Sequence, residues 1–69
     1  MNSKELKIEM MRHNETGEDL ARAIGMARQT LSNKMSENNT SDFTQGEIAK
    51  IKEHYSLTND RVSEIFFAN

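Results

Sequence analysis

A glycine lies at the centre of the amphipathic stretch LARAIGMARQTLSNK, residues 20–34. Its apolar residues Leu20, Ile24 and Leu31 recur at spacings that one continuous helix would satisfy. Gly25, however, costs about 1 kcal/mol relative to alanine inside a helix. Glycine is also the residue best suited to end a helix in the left-handed conformation. We therefore expect two short helices joined by a tight turn at Gly25.

The length of the chain, 69 residues, supports two helices over one long rod. A domain of about this size buries only about 60% of the surface that its unfolded chain exposes, so its helices must fold against one another. The chain has no cysteine that could supply a disulfide or a thiolate metal ligand. We expect a single domain, residues 1–69, of the all-α class.

Capping residues predict where the helices begin. A threonine followed three residues later by an acidic residue can form a reciprocal capping box. The predicted caps are Asn2 with Glu5, Thr16 with Asp19, Thr44 with Glu47, and Thr58. Residues 36–43, rich in asparagine, serine and aspartate, predict a loop. Together with an end for the first helix at Asn14, these signals predict a compact bundle of five short helices.

Apolar residues at helical spacing predict the core of this bundle. They are Leu6, Ile8, Met10 and Met11 in the first helix, Leu20, Ala21 and Ile24 in the second, Leu31 and Met35 in the third, Ile48, Ile51 and Tyr55 in the fourth, and Val62, Ile65 and Phe66 in the last. The apolar C-terminal cluster has two interpretations. It closes the core over the first helix, or part of it forms a two-fold dimer interface made by Tyr55, Leu57, Phe66 and Phe67.

The segment TGEDLARAIGMARQTLSNKMSE resembles the helix-turn-helix of the lambda-repressor-like class, which includes Cro and Xre regulators of phages and bacteria. The matching features are Leu20-Ala21 early in the first helix, Ile24-Gly25 at the turn, apolar Met26 and inward Leu31. The flanking helices extend the resemblance over nearly the whole chain. It implies a lambda-repressor-like five-helix domain with the helix-turn-helix at about residues 16–36. Ala27 stands where the class usually carries a serine or threonine cap, and alanine cannot accept that hydrogen bond.

In this class the second helix of the motif enters the major groove of DNA. The resemblance therefore implies that the helix around residues 27–36 reads bases. The predicted base contacts on its outward face and flank are Arg28, Gln29, Ser32 and Asn33. Arginine can bind guanine bidentately, and glutamine or asparagine can bind adenine, with about 1–3 kcal/mol of discrimination for each pair. The alternative is the ordinary solvated face that an amphipathic helix carries.

Helix N-termini and scattered cations are the candidates for gripping DNA phosphates. The predicted backbone contacts are Thr16, Gly17, Arg22, Lys34, Thr44 and Gln45. Gly17 would let a phosphate approach closely. Thr16 and Thr44 have the alternative role of simple caps, and the two roles are compatible. Arg22 and Lys34 have the alternative role of solvated surface charges.

The resemblance thus implies a small phage or bacterial DNA-binding regulator, a repressor or modulator of transcription that occupies double-stranded operator DNA. Proteins that it resembles commonly bind palindromic operators as dimers, so a homodimer is one expectation. A DNA-binding partner of a toxin is an alternative within this class. The net charge of −2 and the pI of 5.6 favour a different class. In that class the same fold is a protein-interaction module that binds another regulator or an RNA-polymerase subunit.

Other functions lack support in the sequence. No nucleophile is paired with a base, so we do not expect an enzyme, and the mechanism needs no cofactor. His13 and His54 have no second histidine or cysteine at ligand spacing, so we expect no metal site. The chain shows no secretory signal and no apolar run of about 20 residues. We therefore expect a cytoplasmic protein.

Overall fold

The computed structural model describes residues 2–36 and 43–67, and each regular element within them is helical. The elements are α1 (Ser3–Arg12), α2 (Gly17–Ile24), α3 (Arg28–Met35), α4 (Gln45–Tyr55) and α5 (Asn59–Val62), which continues into a π-helical segment, Ser63–Phe67. The chain measures 27 × 25 × 21 Å along its principal axes. These findings confirm the predicted all-α class, the five helices and the compact shape. Most of the loop predicted at residues 36–43 lies outside the described residues.

Gly25 separates α2 from α3, as the sequence predicted. It adopts the left-handed conformation, with φ of +72°. The Met26 N–H donates to the Ala21 carbonyl at 2.8 Å, and the Gly25 N–H donates to the Arg22 carbonyl at 3.3 Å. This hydrogen-bond pattern is the Schellman motif that ends many helices. The connection from residue 25 to residue 27 is short, and α2 packs against α3.

Two other helices end in the same way without a glycine. Asn14 has a φ of +55°, and Ser56 has a φ of +54°. The N–H of Glu15 donates to the Met10 carbonyl at 2.8 Å, and the N–H of Leu57 donates to the Lys52 carbonyl at 2.9 Å. Asparagine tolerates this conformation better than most residues, and the sequence had marked Asn14 as the end of α1. Ser56 carried no comparable signal.

Three of the four predicted caps are present. The hydroxyls of Thr16, Thr44 and Thr58 accept hydrogen bonds from the backbone N–H groups of Asp19, Glu47 and Arg61 at 3.3, 3.2 and 3.1 Å. The predicted start of α1 after Asn2 is confirmed, because Asn2 is its N-cap residue, but the capping box predicted with Glu5 was wrong. Within the described residues the Asn2 side chain makes no capping hydrogen bond. Its backbone N–H instead donates to the Ile65 carbonyl at 2.7 Å, which joins the start of α1 to the last helical segment.

The centre of the core holds one large, almost fully buried side chain from each part of the fold. These side chains are Leu6, Leu20, Leu31, Ile51 and Ile65. Two core residues predicted in α1 were wrong, because Ile8 is 38% exposed and Met11 is 76% exposed. Glu9, on the side of α1 that faces α5, is buried instead and is only 4% exposed.

Arg61 of α5 explains the buried Glu9. Its Nε donates to Glu9 Oε1 at 2.6 Å, and its Nη1 donates to Glu5 Oε2 at 2.6 Å and to Glu64 Oε2 at 2.9 Å. The Arg61 side chain is itself only 16% exposed. Hydrogen bonds to Glu9 and then Glu5 raise the pKa of the Arg61 guanidinium above its ordinary value. A charge cluster therefore fastens α5 to α1 beside the apolar core.

None of the helices in residues 2–36 and 43–67 has the length and apolar character that crossing a bilayer requires.

Replacing Arg61 with alanine should lower the free energy of unfolding by about 3 kcal/mol, because it leaves the buried Glu9 carboxylate without its closest partner. Arg22→Ala is the matched control. Arg22 pairs with Glu18 on the surface, where both side chains are more than half exposed, so its loss should cost less than about 1 kcal/mol. Urea unfolding followed by circular dichroism measures both. Equal costs for the two variants would contradict a special role for Arg61.

Candidate nucleic-acid interface

The four predicted base-contact residues are all exposed on α3. Arg28, Gln29, Ser32 and Asn33 face solvent, whereas Leu31 is 1% exposed and faces the core. The Gln29 Nε2 donates to Asn33 Oδ1 at 3.1 Å, so these two side chains lie one turn apart on the same face. The helix presents polar groups that can donate and accept hydrogen bonds along its exposed side.

The N-terminus of α3 lacks a side-chain cap, as the sequence predicted. Ala27 occupies the N-cap position with extended backbone, φ −67° and ψ 143°, and has no side-chain acceptor to offer. The first backbone N–H groups of a helix have no partner within the helix. The start of α3, where Arg28 and Gln29 lie, therefore carries partial positive charge at the surface.

A groove of about 640 Å³ lies between α1, the start of α2 and α3. Thr16 and Gly17 line it from α2, Arg28 and Ser32 line it from α3, and Lys7 lines it from α1. A Cβ atom at Gly17 would meet no other atom within 4 Å, so the space beside this residue is open. The fold thus brings two predicted base contacts together with two predicted phosphate contacts.

The N-terminus of α2 retains two free backbone donors beside this groove. The capping box uses the N–H of Thr16, which donates to Asp19 at 2.9 Å, and the N–H of Asp19. Hydrogen bonds from the Thr16 N–H and then from its hydroxyl lower the pKa of Asp19, which stays ionised in the box. Among the residues that the structure describes, nothing accepts from the N–H groups of Gly17 and Glu18. These amides can therefore bind an anion.

Arg22 does not join the groove. Its guanidinium contacts Glu18 at 3.1 Å and Asp19 at 3.8 Å. With Lys50 and His54 it lines a separate depression of about 500 Å³ between α2 and α4. Of the predicted phosphate contacts, Arg22 therefore lies apart from Thr16 and Gly17.

Lys34 joins α3 to the start of α4. Its Nζ lies 3.1 Å from Glu47 Oε1 and 6.0 Å from the centre of the Phe43 ring, and its side chain is only 15% exposed. Glu47 also accepts the Thr44 N–H in the capping box at 2.8 Å. Desolvation raises the pKa of Glu47, but the hydrogen bonds from Thr44 and Lys34 outweigh it and lower the pKa overall. Thr44 and Gln45 are exposed beside this pair.

Three of the four residues of the predicted dimer interface lie in the core of the protein itself. Tyr55 is 4% exposed, Leu57 is 9% exposed and Phe66 is 8% exposed. The Tyr55 ring lies 4.5 Å from the ring of His13, and the Phe66 ring packs edge-on against Phe43 at 5.5 Å. These three side chains are thus packed in the core of the protein itself. Phe67, at 65%, is the exposed member of the set.

The Glu47 pair should make the stability of the protein depend on pH. Because the folded protein lowers the Glu47 pKa below its ordinary 4.5, this stabilisation is complete above that value and is lost as the pH falls through the lowered pKa. Glu47→Gln, which keeps a capping side chain but loses the charge, should cost about 1 kcal/mol at neutral pH.

The cost should fade as the pH falls through the lowered Glu47 pKa, because the wild-type carboxylate is then protonated too. Thermal unfolding of both proteins across this pH range measures the difference. Glu53→Gln, an exposed change on the same helix, should stay within about 0.5 kcal/mol of wild type throughout. A Glu47→Gln cost that is constant with pH would contradict the ionic contribution.

Comparisons of the sequence with protein-family models, with curated proteins and with solved structures find no match. The resemblance to the lambda-repressor-like class therefore stays a prediction based on residues 16–37. The feature of the fold that bears on function is the groove between α1, α2 and α3.

Proposed function

We propose that the chain is a sequence-specific DNA-binding transcription regulator, a repressor that occupies its operator with α3 in the major groove. The observation that carries this proposal is that one groove is lined both by Thr16 and Gly17, predicted to contact phosphates, and by Arg28 and Ser32, predicted to contact bases. In helix-turn-helix proteins the second helix reads bases while the first contacts the backbone. The three-residue connection between α2 and α3 supports the same division of roles here.

The side chains of α3 have the chemistry that base reading requires. Arg28 offers a planar fork of donors that matches the O6 and N7 acceptors of guanine. Gln29 and Asn33 can each donate to and accept from adenine. The hydrogen bond between them holds Gln29 in one orientation and leaves its carbonyl oxygen and one N–H for a base. Sequence preference would therefore depend most on Arg28 and Gln29, at the exposed start of the helix.

Backbone amides supply much of the proposed grip on phosphates. The N–H groups of Gly17 and Glu18 point from the N-terminus of α2, and the helix dipole favours an anion there. Such donors carry no formal charge, which suits a protein with a net charge of −2. Phosphate and sugar contacts usually make up half or more of the hydrogen bonds to DNA. They fix the position of α3 without reading sequence.

The second candidate function is a protein-interaction module on the same fold. The observation that favours it is a set of exposed apolar side chains, Ile8, Met11 and Phe67, which are 38%, 76% and 65% exposed. Ile8 and Met11 lie three residues apart on α1 and are therefore neighbours on its surface, and contiguous exposed apolar patches mark protein interfaces. The acidic charge balance agrees with a protein partner, such as another regulator, better than with DNA.

Selection of binding sites from a random pool of duplex DNA tests the proposal. Wild type should enrich a defined sequence, and Gln29→Ala should relax the preference at one base pair, by about 1–3 kcal/mol, because one base-reading amide is lost. Gln45→Ala is the matched glutamine control. Gln45, at the N-terminus of α4, is a predicted backbone contact, so its loss can weaken binding but should leave the base preference unchanged, because backbone contacts do not read sequence.

Each outcome of the selection separates the two candidate functions. An enriched palindrome would indicate two copies on one operator, with Phe67 as the exposed residue to test for their contact. An enriched single half-site would indicate binding by one copy. If no sequence is enriched even at low salt, where attraction to phosphates is strongest, DNA reading is wrong and the protein-interaction module is favoured.

A further inference from the structure

Lys7 lies on the wall of the groove that α1 provides, and neither its spacing in the sequence nor the resemblance assigned it a role. It is exposed and faces the same space as Thr16, Gly17 and Arg28. We propose that Lys7 binds a DNA backbone phosphate at this groove, so that α1 takes part in holding the operator together with α2 and α3. This inference rests on the proposed function.

The charges of α1 are divided between two flanks of the helix. Lys7 lies on the flank that faces the groove. Glu5 and Glu9 lie on the opposite flank, since steps of 100° per residue separate them widely from Lys7. Arg61 binds both carboxylates there. The carboxylates of α1 thus lie away from the groove, where Arg61 and Arg12 offset part of their charge, and Lys7 remains at the groove.

Four of the nine lysines and arginines lie in ion pairs, and among the described residues Lys4, Lys50 and Lys52, like Lys7 and Arg28, lie outside them. Arg12, Arg22, Lys34 and Arg61 each contact a carboxylate within 4 Å. In residues 2–36 and 43–67, neither Lys7 nor Arg28 has such a carboxylate partner. Glu18 also lines the groove, but Arg22 contacts it at 3.1 Å. The groove therefore holds two cations whose charge no described carboxylate offsets, and a polyanion is the ligand that such a surface favours.

The two cations suit different parts of the DNA. Arginine presents a rigid fork that matches a base edge, whereas lysine is a compact point charge on a flexible stem. Lys7 is also on a different helix from the base-reading residues, across the groove from Arg28. A phosphate bound by Lys7 would thus lie on the DNA backbone beside the major groove that α3 enters. The contact would add affinity without sequence preference.

Salt-dependent binding of Lys7→Gln measures this contact directly. Each phosphate neutralised by a cation contributes about 0.9 to the slope of log affinity against log salt concentration. Lys7→Gln should lower the slope by about 0.9 and weaken binding roughly 8-fold at about 0.1 M salt. The loss should be equal on the selected operator and on an unrelated duplex. Fluorescence anisotropy with labelled duplexes gives both quantities.

Lys50→Gln is the matched control, since Lys50 is an exposed lysine on α4 in the separate depression beside Arg22. It removes the same charge and should change the slope by much less, and Lys7→Arg should keep the wild-type slope. If Lys7→Gln has the slope of wild type or of Lys50→Gln while wild type still binds DNA, the role of Lys7 is overturned and the proposed function stands. If wild type binds no duplex at low salt, both are overturned.

Discussion

The contact between Arg61 and Glu9 is the constraint on which the arrangement of the helices depends. The two residues lie 52 positions apart, and their charged atoms are 2.6 Å from each other with little exposure to water. Arg12 of α1 also contacts Glu9 at 3.1 Å, but its side chain is 65% exposed, so Arg61 is the buried partner of this carboxylate. Burying a carboxylate without such a partner is costly, and this favours α5 lying along α1. The backbone hydrogen bond from Asn2 to Ile65 fixes the same pair of segments. With α1 held in this way, its other flank becomes a wall of the groove beside α2 and α3.

The internal ion pairs also explain how an acidic protein can present a positive groove. Carboxylates outnumber basic residues, 11 to 9, yet several of them bind cations that point away from the groove. Arg61 gathers Glu5, Glu9 and Glu64 into one cluster, and Glu47 is held by Lys34 and by its own capping box. Net charge describes the whole surface and therefore gives little information about one face of it.

The sequence predicted the features that depend on neighbouring residues. The caps at Thr16, Thr44 and Thr58 and the end of α2 at Gly25 each involve residues at most five positions apart. The prediction from sequence failed where a residue contacts another that is distant in the chain. Ile8 and Met11 fit an apolar stripe, but Arg61 turns the Glu9 side of α1 inwards, and nothing near Glu9 in the chain signals this. The inward positions of Leu31 and Met35 predicted the exposed side of α3, and the four residues predicted to contact bases do lie on it. Their contact with DNA stays a prediction. Lys7 could be found only after α1 was placed beside α2.

The two ends of α3 are held very differently, and this difference bears on how it could read DNA. A helix of eight residues is marginal alone, and α3 buries only Leu31 fully. Its C-terminal half is fixed by Lys34, which contacts Glu47 and lies over Phe43. Its N-terminal end begins at Ala27 with no capping side chain. A serine or threonine there would accept a hydrogen bond from the backbone N–H of Gln29 or Thr30. The absence of a capping side chain costs stability. It also leaves this backbone N–H available at the position where a base edge or a phosphate would supply the acceptor.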